Sequence, residues 1–88
     1  MEMRYELMQR GDLTITFGDI EDTGLVERVP FYISRESGDA FAEGALPGCG
    51  IAKSYGFSEV ELHDLERVMR NNMPIVYDRL RKTGAWSE

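Results

Sequence analysis

The stretch from Ser58 to Lys82 constrains this chain most. Its apolar residues fall at Leu62, Leu65, Met69, Met73, Val76 and Leu80. Steps of three and four residues make the stripe of an amphipathic helix. Ser58 stands where a cap belongs, and Glu61 three residues later completes a capping box. Phe57 and Leu62 occupy the positions of a hydrophobic staple. Acids fill the first half, and Arg79, Arg81 and Lys82 fill the last turn, as the helix dipole favours. Gly84 offers a left-handed stop. The pattern predicts a helix over residues 58–83.

Pro74 lies inside this run. It lacks an amide hydrogen, and its ring would press on the carbonyl of Arg70, at a cost of about 3 kcal/mol in a helix interior. Burying each of the stripe residues returns about 1.5–3 kcal/mol before entropy is charged. Packing therefore carries helix to both sides of the proline, with a kink or a one-turn irregularity expected between Arg70 and Pro74. The alternative is a break, with Asn71 or Asn72 ending one helix and capping the next.

Upstream, the period changes from three or four to two. Met3, Tyr5 and Leu7 share one parity, with Glu2, Arg4 and Glu6 on the other. That alternation predicts a half-buried strand over residues 2–9. Leu13 to Phe17 alternates again after Gly11-Asp12, so a hairpin leads into a second strand over 13–20. Arg10-Gly11-Asp12 also spells an integrin-binding tripeptide, but a turn accounts for it. Leu25, Val29, Phe31 and Ile33 share a parity and predict a third strand over 25–34. Pro30 cannot donate a ladder hydrogen bond, which puts this strand at a sheet edge or Pro30 at a bulge.

Residues 34–56 carry five glycines besides Pro47 and show no clear period. A short helical turn over 39–46 and then an irregular crossing loop are expected. The fold expected is therefore α+β. A three-stranded antiparallel meander is covered by a long, proline-kinked C-terminal helix, with a glycine-rich connection between them, in one domain of 88 residues.

Charge bounds the function. The chain carries a net charge of −6. Residues 1–57 hold ten acids and five bases, whereas residues 58–83 hold five of each, so the acidity sits in the first two thirds. Direct binding to a nucleic-acid backbone needs clustered Lys and Arg and is not expected. No run of eighteen apolar residues predicts a membrane span. Charges near the N-terminus and the single cysteine, Cys49, suit a cytoplasmic protein.

The motifs that carry chemistry are weak. Gly44 to Ser54 has the flavour of a phosphate-binding loop, but Ile51 and Ala52 separate Gly50 from Lys53. Asp19, Glu21 and Asp22 do not have the spacing of a calcium loop. One cysteine and one histidine cannot build a tetrahedral metal cage. No cofactor, metal or catalytic residue is expected. Cys49 with His63 is the one conceivable catalytic pair, and a small enzyme built on it is the remotest reading.

What remains is a small, acidic, non-catalytic protein-binding module. Its concrete form is an inhibitor or regulator that occupies the basic nucleic-acid-binding surface of a partner protein. Phage anti-defence proteins share this size and charge, an analogy of those two properties alone. The candidate acidic contacts are Asp19, Glu21, Asp22, Glu36, Asp39 and Glu43. The candidate aromatic contacts are Tyr32, Tyr55 and Trp86. The alternative is an oligomer-building or accessory subunit, such as a homodimer, with Val60, Val68, Met73 and Tyr77 broadening the helix stripe.

Overall fold

The alternating runs form strands and the stripe forms a helix. The structure, a computed structural model, describes residues 4–22, 24 and 27–82, apart from the Asp22 side chain. The chain runs β1 (Arg4–Arg10), β2 (Leu13–Gly18), β3 (Glu21–Asp22), β4 (Glu27–Arg35), β5 (Phe41–Leu46), β6 (Ile51–Tyr55) and α1 (Glu59–Lys82). The sheet order is β1-β2-β4-β5-β6, antiparallel throughout, with β3 paired to β4 off this path. The fold is α+β, as expected, but the sheet is larger than the three-stranded meander predicted. The expected positions 2–3, 25–26, Gly84 and Trp86 lie outside the described residues.

Besides the two-residue β3, two strands lie outside the expected ones, and their composition explains it. β5 is Phe-Ala-Glu-Gly-Ala-Leu, which reads as a helical turn followed by a loop. In the sheet, Ala42, Gly44 and Leu46 point inward, and Phe41, Glu43 and Ala45 point outward. The period of two is present, but two of the inward residues are too small to announce it. β6 is mostly exposed, with Ile51 half-buried, so it carries no alternation of polarity. The expected crossing loop shrinks to residues 47–50, and the expected helical turn over 39–46 is replaced by β5.

Registration stacks the inward residues into rows that cross the sheet. Tyr5, Phe17, Phe31, Gly44 and Ile51 form one row. Met8, Ile15, Ile33, Ala42 and Ser54 form the next. Leu65, Val68, Met69, Val76 and Leu80 of α1 close over them, and the helix lies nearest β5. The small residues of β5 make that approach feasible. A Cβ added at Gly44 would lie 2.7 Å from the Phe31 ring and would strike the Gly50 carbonyl. Gly56 is constrained differently. Its φ is +80°, and a Cβ there would press on Asp39 and Ala40.

Pro30 is interior and buried, paired with Ala45 of β5. An edge location is therefore ruled out. On its other side the ladder is interrupted between Gly18 and Glu21, and neither Val29 nor Pro30 has a partner there. The proline sits where the sheet asks for no second donor, which is the irregularity its chemistry required. The helix runs unbroken through Pro74. Neither Asn71 nor Asn72 breaks it; the Asn72 side-chain amide instead donates to the Val68 carbonyl at 2.8 Å.

Polar contacts fix the helix to the sheet at several points. The capping box forms: Glu61 accepts from the Ser58 amide at 2.8 Å, and Ser58 Oγ accepts from the Glu61 amide at 3.2 Å. Arg35, at the end of β4, lies within 3.5 Å of Asp12 and Asp39 and 3.4 Å of Glu61. Its guanidinium also lies over the Phe57 ring, 5.2 Å from the centroid. The Ile51 amide on β6 donates to Glu66 at 3.1 Å, and Arg79 donates to the Glu6 carbonyl on β1. Each edge strand is thereby held by a helix side chain.

Two outcomes test this account. Gly44→Ala should lower the urea midpoint by an amount worth about 1–3 kcal/mol of overpacking, with an unchanged m-value. A wild-type midpoint would mean that the Phe31–Gly44–Gly50 contact is not tight. The second test concerns acid. The Ser58 amide, assisted by Ser58 Oγ and Arg35, holds the Glu61 carboxyl below its ordinary 4.5. The carboxylate's contribution is complete above that ordinary value and fades as pH falls through the depressed folded value. The stability gap between the protein and Glu61→Gln should therefore close with increasing acidity. A gap that widened in acid would contradict the capping geometry.

Candidate partner-binding face

An antiparallel sheet covered on one side presents alternate residues on the other. Here the outward row runs Glu6, Thr16, Tyr32, Glu43 and Lys53. A second row runs Thr14, Ser34, Phe41 and Tyr55. Among the described residues no element covers this face. It carries three aromatic rings at its centre and β6 end. Phe41 and Tyr55 stack at 6.0 Å between centroids, and Tyr55 is 59 % exposed. Arg4 lies over the Tyr32 ring, 3.9 Å from its centroid.

Between β4 and β6 the face sinks into a depression of about 500 Å³. Pro30 and Ala45 form its apolar part, because neither carries a long side chain. Tyr32, Glu21, Arg28, Glu43 and Lys53 surround it. Its charges are paired: Arg28 lies 3.3 Å from Glu21, and Lys53 lies 3.9 Å from Glu43. Of the residues expected to contact a partner, Tyr32, Glu21 and Glu43 thus meet at one site, with Tyr55 further along the same face.

The other acidic candidates lie elsewhere. Glu36 and Asp39 belong to the β4–β5 turn, at the end of the sheet that holds Asp12 and Arg35. Asp39 accepts from Ser37 Oγ at 2.7 Å, and that bond, with Arg35 beside it, holds its carboxyl below the ordinary value. Asp19 is at the opposite end and accepts the Tyr5 hydroxyl at 2.7 Å. Asp22 pairs with Glu27 through its backbone in β3. Trp86 lies outside the described residues. Sequence reasoning missed Arg28, Pro30, Ala45 and Lys53 as members of a site. Their only signal was the register of β5 and β6, which the sequence did not announce.

Cys49 and His63 are not brought together. Cys49 is fully buried in the core, with Sγ 3.4 Å from the Pro47 carbonyl oxygen, and its amide donates to Ala45 at 2.9 Å. Its φ of 62° is left-handed, a conformation that costs a non-glycine residue about 1–3 kcal/mol. His63 is 84 % exposed on the outer side of α1. Among the described residues no group of acids, histidines and cysteines is arranged to hold a metal ion. No described helix is long and apolar enough to cross a membrane.

Burial pushes the Cys49 thiol above its ordinary value of 9.0, which suppresses the nucleophilic thiolate. An aromatic disulfide reagent should therefore leave the native thiol unmodified at neutral pH and label it once denaturant is added. Rapid labelling of the native protein would reopen the case for a reactive cysteine. No protein-family model matches this chain, no curated protein is significantly similar to it, and no solved structure matches its fold significantly.

Proposed function

We propose that this protein is a non-catalytic protein-binding module whose open sheet face docks a basic partner. In its concrete form it is an inhibitor or regulator that covers a nucleic-acid-binding surface of that partner. One observation carries the reading: the helix covers one side of the sheet, while the other presents Tyr32, Phe41 and Tyr55 among charged side chains of both signs. Tyrosine buries large area at low entropy cost, which suits it to interface centres. The net charge of −6 complements a basic surface and steers encounter with it.

The self-association reading rests on the helix instead. Val60 is 80 % exposed and Ile75 48 % exposed on α1, whereas Val68 is spent on the protein's own core. Two scattered apolar residues make a poorer interface than the aromatic face.

Affinity capture from the native cell, at low and at high salt, tests the proposal. A basic nucleic-acid-binding protein should be retained at low salt and wash off at high salt, because screening weakens exposed charge pairs. Tyr55→Ala should weaken that retention roughly tenfold, as loss of a large aromatic contact does. Glu6→Lys, on the same face, should weaken it too, and Val60→Ser should leave it intact. If Val60→Ser instead abolishes a concentration-dependent dimer and no partner is retained, the protein assembles with itself through the helix.

A further inference from the structure

We infer that the depression bounded by Tyr32, Glu21 and Glu43 is a socket for one arginine side chain of the partner. This deepens the proposed function and rests on it. The sign of the socket follows from which of its charges is set deepest. Side-chain exposure is 32 % for Glu43, 51 % for Glu21 and Arg28, and 79 % for Lys53. The least solvated charge is thus a carboxylate, and its resident counter-ion is the most solvated group at the site. At 3.9 Å, Lys53 and Glu43 are at the outer limit of an ion pair. An ammonium so placed holds its partner weakly and swings away at little cost.

An anion would meet the opposite situation. It would have to draw Lys53 and Arg28 off their acids while facing Glu43 at close range. An arriving cation displaces Lys53 from Glu43 and leaves Arg28 paired with Glu21. Arginine suits the site better than lysine for two reasons. Its planar fork can bind a carboxylate through two parallel hydrogen bonds, and its head is more weakly hydrated than an ammonium, so it loses less on leaving water. The Tyr32 ring is already covered by Arg4, 3.9 Å from its centroid, so Glu43 and not the ring holds the incoming head. Pro30 and Ala45 offer an apolar bed for the aliphatic stem.

Nuclear magnetic resonance titration of the full chain with N-acetyl-arginine amide tests the socket without the partner. The backbone amides of Tyr32, Glu43, Ala45 and Lys53 should shift and saturate. Binding should weaken at least roughly tenfold in Glu43→Gln, the loss of a charge-assisted pair, and should tighten in Lys53→Ala, where the resident competitor is gone. N-acetyl-lysine amide should bind more weakly, and inorganic phosphate should leave these amides unmoved. The socket is overturned if phosphate produces saturable shifts that Lys53→Ala removes, since the site would then be anionic in preference. It is equally overturned if arginine shifts nothing, or shifts the same amides equally in Glu43→Gln. The two proposals fail separately. A partner retained by both the protein and Glu43→Gln, with no arginine binding, refutes the socket and leaves the docking face. Arginine binding without a captured partner refutes the docking role and leaves the socket.

Discussion

The contact at Gly44 is the constraint on which the rest of this structure depends. The Phe31 ring and the Gly50 carbonyl fill the space that any side chain at this position would need. Phe31 is fully buried, in the same row as Phe17, and Tyr5 meets Phe17 at 5.3 Å between ring centroids. A glycine opposite a phenylalanine lets the ring lie across the strand rather than stand away from it. The same gap admits the connection from β5 to β6, which tucks Cys49 into the core. The left-handed strain at Cys49 is offset by that burial, so the connection is part of the packing and not an ornament upon it.

With β5 kept thin, the helix comes close and seals one side of the sheet. A single helix suffices because its buried stripe runs along its length into one core with the sheet: Leu65, Val68 and Met69 in the first half, Val76 and Leu80 in the second. Exposed sheet edges are a hazard, since their unpaired backbone invites pairing with other chains. Here Glu66 reaches β6 and Arg79 reaches β1 from the same helix. Arg35 adds a third tie near the helix N-terminus, where three carboxylates converge on one guanidinium. Each of these pairs is partly solvated and contributes little alone. Together they fix the direction in which the helix crosses the sheet.

A one-helix cover leaves the opposite face of the sheet open among the described residues. That face is neither an acidic patch nor an apolar one. It mixes aromatic rings with charges whose partners are already present, so an incoming partner must compete for them. This makes the degree of burial more informative than the count of charges. Glu43 stands out there because its carboxylate is better shielded than that of Glu21, not because the chain is acidic. Asp39 is as acidic by sequence but is engaged by Arg35 and Ser37, and Glu36 lies in the same turn at the end of the sheet.

The sequence by itself determined the helix, its start, the first hairpin and the residues that turn inward on β2 and β4, with Tyr5 and Leu7 on β1; Met8 joins the inward row only through a register shift between Glu6 and Met8. Those features are local: a period, a capping box and a turn leave their marks within a few residues of one another. It also showed that Pro30 needed an irregular place in the sheet, though not that an interior gap between β2 and β3 would supply it. Only the tertiary structure decided that 41–46 and 51–55 are strands. Gly44 is required by the approach of Phe31 and the Gly50 carbonyl, and small inward residues such as Gly44 and Ala42 leave no hydrophobic mark to be read. The candidate site was hidden for the same reason. Tyr32, Glu43 and Lys53 are separated in sequence by about ten residues at each step and become neighbours only through the register of strands that the sequence did not reveal.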